Sequence, residues 1–436
     1  MKEQKKGSAF KVPGCIAFLL FLSLMIKFEK FTLPNGLRVI HHLDESTPLV
    51  CVNILYDVGA RDEEESRTGF AHLFEHLMFG GSINIPNYDE PLQKVGGENN
   101  AFTTNDITNY YLTVPANNIE TAFWLESDRM LSLGFSDKSL EVQRNVVIEE
   151  FKQRYLNQPY GDVWLLLRPL AYKVHPYKWD TIGKEISHIS EAKMDDVKAF
   201  FKKFYCPNNS ILVVSGNVSL EKVKELCAIW FAPIPKGPDN TRNLTKEPVQ
   251  TEARKLDVTR DVPYDNIFKA YHMCARGDAE FHACDLLSDI LSRGNSSRLY
   301  NALVKNKPIF SELNAYVSGD RDAGLLIVTG KLVTGISLEE AEKEIIIELE
   351  KIKKDLVSDT ELTKVKNKTE STLEFSEMSI LNKALNLAIA ELMGDAAGVN
   401  EESKKYQSVT AGQIRTQAQL IFQEKNCSTL YYRSKK

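Results

Sequence analysis

Residues 69–77 read Gly-Phe-Ala-His-Leu-Phe-Glu-His-Leu, and they place an H-x-x-E-H pattern on a predicted helix. His72 and His76 are four positions apart, so both imidazoles project from one face of the helix and can bind one metal ion. Glu75 lies beside them and can reach a water molecule at the metal as a general base. The apolar residues of the stretch are predicted to pack the helix into the core and to exclude bulk water.

A third metal ligand has to come from elsewhere in the chain. Catalytic zinc usually takes three protein ligands and leaves one position for water, and the inverted H-x-x-E-H order is a known peptidase motif. In a chain with eight histidines, a chance match to the pattern has a probability of roughly one in a hundred. Residues 143–151 form a predicted helix with two adjacent glutamates, Glu149 and Glu150. One would face the metal and the other solvent, and spacing alone does not separate them.

The predicted strands and helices around the motif occur twice along the chain in the same order. The first set contains a hairpin around an Asn-Gly turn, a central apolar strand, the motif helix, two further strands and long helices. A stretch rich in proline and polar residues follows, and the second set then repeats the plan. We therefore predict an α+β fold of two homologous repeats, each a mixed or antiparallel sheet covered by helices.

The same pattern predicts four segments along the chain. They are an apolar N-terminal segment at 1–27, a first repeat with the metal motif at 28–232, a linker at 233–254 and a second repeat without the motif at 255–436.

The sequence resembles the pitrilysin or insulinase family of zinc peptidases, which includes the mitochondrial processing peptidase and small bacterial homologues. The resemblance spans essentially everything after residue 28. Five segments carry it: Thr32–Val39, Gly69–Ser82, Asn100–Thr103, Arg144–Glu150 and Tyr205–Asn209. It implies that the chain forms half of a clamshell chamber and hydrolyses peptides or unfolded segments.

The resemblance also assigns residues to roles. It implies one zinc ion per chain, bound by His72, His76 and Glu150, with Glu75 activating the attacking water. On this alignment Glu149 is the neighbour of the ligand and is not itself a ligand.

Residues Asn100, Ala101 and Phe102 resemble the substrate-binding edge strand of the family. A peptidase that cuts varied sequences should grip the peptide backbone, and an extended peptide that pairs with an exposed strand provides this grip. The alternative is that these residues belong to an inner strand with partners on both sides. The pattern of residues leaves both interpretations open.

The chain departs from the family at three positions. An acidic residue often stands seven positions before the third ligand, and Gln143 occupies that position here. An Arg and a Tyr seven residues apart polarise the scissile carbonyl in self-sufficient members, but Val304 and Ser311 stand at those places. Since an oxyanion stabiliser contributes a few kcal/mol to catalysis, we expect a second family chain to supply these groups. We expect a heterodimer in preference to a homodimer.

Two non-catalytic interpretations compete with the peptidase. One is a silent structural or substrate-binding subunit, which loss of a zinc residue would support, but none of the four motif residues is lost. The other is a binding module with a structural zinc ion, which normally needs a fourth protein ligand, and no candidate stands near the motif.

Composition narrows the class of protein further. Hydrophobic residues make up 43% and charged residues 26%, which is ordinary for globular domains, and the net charge is −5. No basic stripe with interleaved aromatic residues is present, which argues against a nucleic-acid partner. The seven cysteines are scattered and form no C-x-x-C pair, so we expect free thiols. Free thiols favour a reducing compartment, and the alternative is a periplasmic protein with free cysteines.

The N-terminus allows two interpretations. Four lysines among the first eleven residues precede an apolar run at 15–26, which resembles a signal peptide without a cleavage site. Residues 12–26 would then export or anchor a bacterial-type protein. Alternatively, translation starts naturally at Met25, the first 24 residues are not part of the fold, and the protein is cytoplasmic.

Overall fold

The computed structural model describes residues 25–435, and the prediction for the apolar N-terminal run concerns residues that lie almost wholly outside this range. Eleven strands lie within the described range: β1 Glu29–Thr32, β2 Arg38–Leu43, β3 Leu49–Tyr56, β4 Glu98–Thr103, β5 Thr108–Pro115, β6 Ser210–Gly216, β7 Arg254–Arg260, β8 Asn266–His272, β9 Phe310–Ser318, β10 Leu325–Leu332 and β11 Cys427–Ser434.

The α-helices of the same range connect these strands. They are α1 Phe70–Leu77, α2 Asp89–Lys94, α3 Ile119–Leu131, α4 Asp137–Phe151, α5 Val163–Ala171, α6 Ile186–Ser190, α7 Met194–Phe204, α8 Leu220–Leu226, α9 Phe281–Ser292, α10 Leu338–Lys354, α11 Asp359–Ser376, α12 Ile380–Leu392, α13 Glu402–Ser408 and α14 Ala411–Ile421. Within residues 25–435, none of the helices combines the length and the apolar character that crossing a bilayer requires.

The two sheets have the same plan, which confirms the predicted α+β fold. The first has the strand order β1-β2-β6-β3-β5-β4 and the second has the order β7-β11-β8-β10-β9. In each sheet the first and last strands of the repeat unit pair in parallel, β2 with β6 and β7 with β11, and the other neighbours are antiparallel. β1 adds one edge strand to the first sheet. On this correspondence β4 and β9 are equivalent edge strands.

The two halves exchange a helix. Leu167 and Ala171 of α5 pack on the second sheet, against residues such as Ile327, although α5 lies within the first half of the chain. Leu387 of α12 packs in the same way on the first sheet, beside Val213. Both sheets are therefore covered on two faces, which explains why β6 is buried along its whole length and contains so many apolar residues.

Two turns lock the halves together near the motif. The side chain of Asn105, in the β4–β5 turn, donates to Asp320 in the β9–β10 turn at 3.1 Å. The backbone N–H of Arg321 donates to Asp106 at 2.9 Å. Arg61 is 4% exposed and forms ion pairs with Asp106 at 2.9 Å and with Asp322 at 3.1 Å. These contacts fix the end of β4 against the second half.

Two features of the fold lie beyond the sequence prediction. Residues 232–253, which cover most of the predicted linker, are irregular but held in place: Arg242 pairs with Asp57 at 2.8 Å and Gln250 donates to the carbonyl of Cys427 at 2.9 Å.

The helices α6 and α7 are not among the elements that the sequence predicts. The apolar side chains of α7 recur at helical spacing. The ring of Phe200 stacks on the ring of Phe74 in the motif helix, with 5.1 Å between the ring centroids.

Candidate metal centre

The helix α1 is held from its N-terminus and from its buried face. Gly69 precedes it with φ at 88°, a left-handed conformation, and a side chain there would collide with the carbonyl of Ile182. The carboxylate of Glu63 accepts hydrogen bonds from the N–H groups of Gly69 at 2.9 Å and Ala71 at 2.8 Å. A carboxyl group that accepts these two bonds caps the N-terminus of the helix. Phe74 is fully buried, which leaves the opposite face for the histidines.

The structure brings three potential ligand atoms together. Nε2 of His72 and Nε2 of His76 are 3.3 Å apart, and Oε2 of Glu150 on α4 lies 3.6 Å from the first and 3.3 Å from the second. Glu149 points away, is 60% exposed and pairs with Lys152 at 2.7 Å. The two glutamates that sequence spacing left unresolved are therefore separated by their geometry.

These separations suit one tetrahedral metal ion. With metal–ligand bonds of about 2.1 Å, any two ligand atoms of a tetrahedral site are about 3.4 Å apart. The three measured separations, 3.3, 3.3 and 3.6 Å, agree with that value. Two imidazoles and one carboxylate are a ligand set that zinc takes in catalytic sites. Within the described residues this is also the one His, Cys, Asp and Glu cluster that could hold a metal ion.

The protonation of these groups also favours a cation between them. Burial, together with the neighbouring His76, lowers the pKa of His72 to about 4, so its imidazole is neutral at pH 7 and offers a lone pair. A hydrogen bond with His76 lowers the pKa of Glu150, which is therefore ionised. The other carboxylate oxygen, Oε1, pairs with Arg154 at 2.8 Å. Lone pairs that converge on one point repel one another unless a cation lies there.

Glu75 lies on the same helix but outside this ligand set. Its Oε2 accepts a 2.6 Å hydrogen bond from the hydroxyl of Thr103, the last residue of β4. Burial raises the pKa of Glu75 above its ordinary value, while the bond from Thr103 opposes that shift. A carboxylate with a raised pKa is a better proton acceptor, as a general base requires.

The strand β4 is at the edge of the first sheet. It pairs with β5 alone, so its other side offers backbone groups to an added strand. The N–H of Ala101 bonds to Oδ1 of Asn100 at 2.8 Å, which indicates that this N–H faces away from β5. Ala101 packs on the face of the sheet that carries α1, whereas Phe102 packs on the opposite face, beside α12.

The positions of the expected Arg and Tyr contain no substitute for them. Val304 packs against the core of the second half, and the hydroxyl of Ser311 donates to the carbonyl of Lys331 at 3.2 Å. Arg298, the nearest arginine in sequence, is paired with Glu361 at 2.8 Å.

Sequence reasoning missed a second set of residues that position α1. Glu63 is charged in sequence terms, but its side chain is buried, and burial raises its pKa to about 8. Tyr110 donates to the carbonyl of Phe74 at 3.2 Å, and the guanidinium of Arg129 lies over the Tyr110 ring at 4.4 Å. The role of each of these residues depends on a contact between segments that are distant in sequence. Only for Arg129 is there a sequence signal: its helical spacing indicates that the side chain points into the core.

Comparisons with known proteins agree with this geometry. Residues 38–167 match the family described as insulinase (peptidase family M16), and residues 192–369 match its companion, described as the peptidase M16 inactive domain. The chain is 30% identical over 416 residues to the zinc protease PqqE of Helicobacter pylori, covering 94% of this chain and 93% of that protein.

Two further likenesses extend over nearly the whole chain. The uncharacterized zinc protease YmxG of Bacillus subtilis is 24% identical over 400 residues, which cover 91% of this chain and 96% of that protein. The crystal structure of a protease from Helicobacter pylori matches the fold with a TM-score of 0.89 at 29% identity, covering 94% of this chain and all of the other.

Proposed function

The chain belongs to the insulinase family of peptidases, peptidase family M16, and on that premise we propose that it is a zinc-dependent metalloendopeptidase. One observation carries the proposal. Three ligand atoms from His72, His76 and Glu150 are spaced as a tetrahedral zinc site requires, with the partly buried carboxylate of Glu75 beside them.

Each residue of the site has a distinct task in this proposal. When bound, zinc supplies positive charge that polarises a water molecule and the scissile carbonyl. Thr103 holds Oε2 of Glu75, which leaves Oε1 to take a proton from the attacking water. The same carboxyl group then passes that proton to the amine that leaves.

The edge strand defines the substrate class in this proposal. A peptide that lies along β4 as an added strand is held by backbone hydrogen bonds, and Thr103 at the end of the strand brings it to Glu75. Such binding needs an extended chain. We therefore expect short peptides and unfolded segments to be cleaved in preference to folded proteins, with contacts along Asn100, Ala101 and Phe102.

We further propose a second family chain as the partner. Val304 and Ser311 cannot polarise the carbonyl, and loss of an oxyanion donor costs about 100- to 1,000-fold in kcat. A second copy of this chain has the same Val and Ser at these positions. A different family member with the Arg and Tyr is therefore favoured, which makes the active form a heterodimer.

Hydrolysis of a mixed peptide library by the purified chain tests the first proposal. Wild type and Glu75→Gln are compared with and without a zinc chelator, and zinc content is measured in each sample. Slow cleavage by wild type that the chelator and Glu75→Gln both abolish supports the peptidase. A chain that binds one zinc ion but cleaves nothing, even after family chains with the Arg and Tyr are added, supports the silent-subunit alternative.

The rate of the chain alone tests the partner proposal. An ordinary enzymatic rate without any partner contradicts it, because the chain would then need no donated Arg and Tyr. A rate that rises at least tenfold when such a family chain is added supports it.

A further inference from the structure

Two cysteines of the second half form a sulfur–sulfur contact. Sγ of Cys274, in the loop after β8, lies 3.7 Å from Sγ of Cys284 in α9. Cys284 is fully buried, whereas Cys274 is partly exposed. The two residues are ten positions apart, so no short motif marks them as a pair.

This contact is unusual among the cysteines that the structure describes. All six of them, Cys51, Cys206, Cys227, Cys274, Cys284 and Cys427, are free thiols. Cys206 contacts the carbonyl of Lys203, and Cys427 contacts the hydroxyl of Thr429. Within residues 25–435, a sulfur–sulfur contact is found at Cys274 and Cys284 alone.

We propose that Cys274 and Cys284 are a redox-active dithiol that closes to a disulfide when the protein meets a small-molecule disulfide. A disulfide needs sulfur atoms about 2.05 Å apart, so the two sulfurs have to approach by somewhat less than 2 Å. Cys274 lies in an irregular loop, where a small change of backbone and side-chain torsions can provide that approach.

The order of reaction follows from exposure. The partly exposed Cys274 attacks one sulfur of the small disulfide as a thiolate and forms a mixed disulfide, releasing one thiolate. Cys284 then loses its proton and attacks the sulfur of Cys274, which releases the second thiolate. Two protein thiols and one small disulfide become one protein disulfide and two small thiols, so electrons and protons balance.

The electrostatics support this order. The contact with Cys284 lowers the pKa of Cys274 below its ordinary value, and the thiol of Cys284 also lies 3.6 Å from Oε1 of Gln417, to which it can donate. The sulfur–sulfur contact, together with burial, raises the pKa of Cys284. The accessible sulfur is therefore the more acidic one, as in other reactive thiol pairs.

The bond would clamp a loop that is connected to the other half of the chain through Asp320. The N–H of Arg276, between the two cysteines, donates to the carbonyl of Asp320 at 2.9 Å. Asp320 in turn accepts the bond from Asn105 that holds the β4–β5 turn. Closure of the disulfide would stiffen the second half where it contacts the β4–β5 turn, and we expect a rise in Tm.

Peptide mapping of the intact protein tests the proposal directly. The folded chain is incubated with oxidised glutathione, then denatured in the presence of N-ethylmaleimide, so that every remaining free thiol is alkylated, and digested with trypsin. Cleavage after Lys269, Arg276 and Arg293 places the two cysteines on separate peptides. A disulfide-linked pair of the peptides 270–276 and 277–293 is the expected product, and reduction separates it.

Variants check the order of attack. Cys284→Ser should trap glutathione on Cys274, whereas Cys274→Ser should leave Cys284 unmodified in the folded protein. Cys206→Ser is the matched control and should form the linked peptides as wild type does. The proposal is overturned if both peptides of folded wild type emerge alkylated under oxidant, or if Cys284→Ser leaves Cys274 without glutathione.

Discussion

The hydroxyl of Thr103 donates a 2.6 Å hydrogen bond to Oε2 of Glu75. Thr103 ends the edge strand β4 and Glu75 belongs to the motif helix α1. One bond therefore connects the strand proposed to bind substrate with the carboxylate proposed to activate water. It also holds Glu75 in one orientation, because one carboxylate oxygen is occupied and the other is left for the reaction.

Removing this hydroxyl should weaken catalysis without releasing the metal. We expect Thr103→Val to lower kcat about 10- to 150-fold, since a hydrogen bond to a charged group contributes about 1.5 to 3 kcal/mol. Steady-state kinetics and zinc content on the same samples provide the measurement. Thr103→Ser keeps the hydroxyl and should retain most of the activity. Equal kcat values for the Val variant and wild type would show that the bond has no catalytic role.

The two adjacent glutamates should differ sharply in metal binding. Glu150→Gln removes the anionic ligand atom, and we expect zinc affinity to fall about 100-fold or more. Mutation of a residue that only hydrogen-bonds to a metal ligand typically lowers affinity by about 10- to 100-fold, so the loss of a ligand should be at least as large. Glu149→Gln changes an exposed residue paired with Lys152 and should bind zinc as wild type does. Competition with a chromophoric chelator measures both affinities. A similar loss in both variants would contradict the assignment of Glu150.

The exposed edge of β4 can be tested by removing one donor. Ala101→Pro deletes an N–H that faces away from β5, and an edge strand tolerates proline at such a position. We expect KM for peptides to rise several-fold while zinc content stays unchanged. Ala101→Val retains the N–H and serves as the control for added bulk. An unchanged KM in the proline variant would argue against substrate pairing at this residue.

An ion pair between the two halves should make the free energy of unfolding depend on pH. Asp44, after β2, pairs with Lys383 of α12 at 2.7 Å, and the hydrogen bonds from Lys383 and Ser46 lower its pKa from 3.8 to about 2. Folding thus favours the ionised form, and the stabilisation is present above pH 3.8 and lost as the pH falls through about 2.

Asp44→Asn tests this dependence. We expect it to lower the free energy of unfolding by about 1 kcal/mol at neutral pH and to flatten the fall in stability below pH 4. Urea midpoints of both proteins, measured from pH 6 to the lowest pH at which they remain folded, check the slope. Parallel curves for the two proteins would contradict a contribution from this ion pair.

The sequence predicts the strands and the duplication well because both rest on local patterns. The Asn-Gly turn, the apolar run of β3 and the helical spacing of His72 and His76 are all visible in short windows. The repeat is confirmed by two sheets with one strand order. The exchange of α5 and α12 between halves is not predictable in this way, since an amphipathic helix does not indicate which sheet it covers.

In the candidate site, too, some residues can be predicted from local spacing and others depend on tertiary contacts. Spacing gives Glu75 and the histidines, but it does not choose between Glu149 and Glu150, because that choice depends on the rotation of α4 about its own axis. Glu63 and Thr103 approach α1 from a loop and from the end of a strand, and their roles depend on tertiary contacts alone. The contact of Cys274 and Cys284 likewise arises from the fold of one loop.

The most direct measurement is the initial rate on the best-cleaved library peptide for zinc-loaded wild type and zinc-loaded Glu75→Gln, each at one zinc ion per chain. The substitution removes the proton acceptor and leaves His72, His76 and Glu150 in place. We predict a loss of at least 100-fold in Glu75→Gln with unchanged zinc content, since a positioned general base contributes about 100- to 10,000-fold. Equal rates in the two proteins would contradict the proposed mechanism.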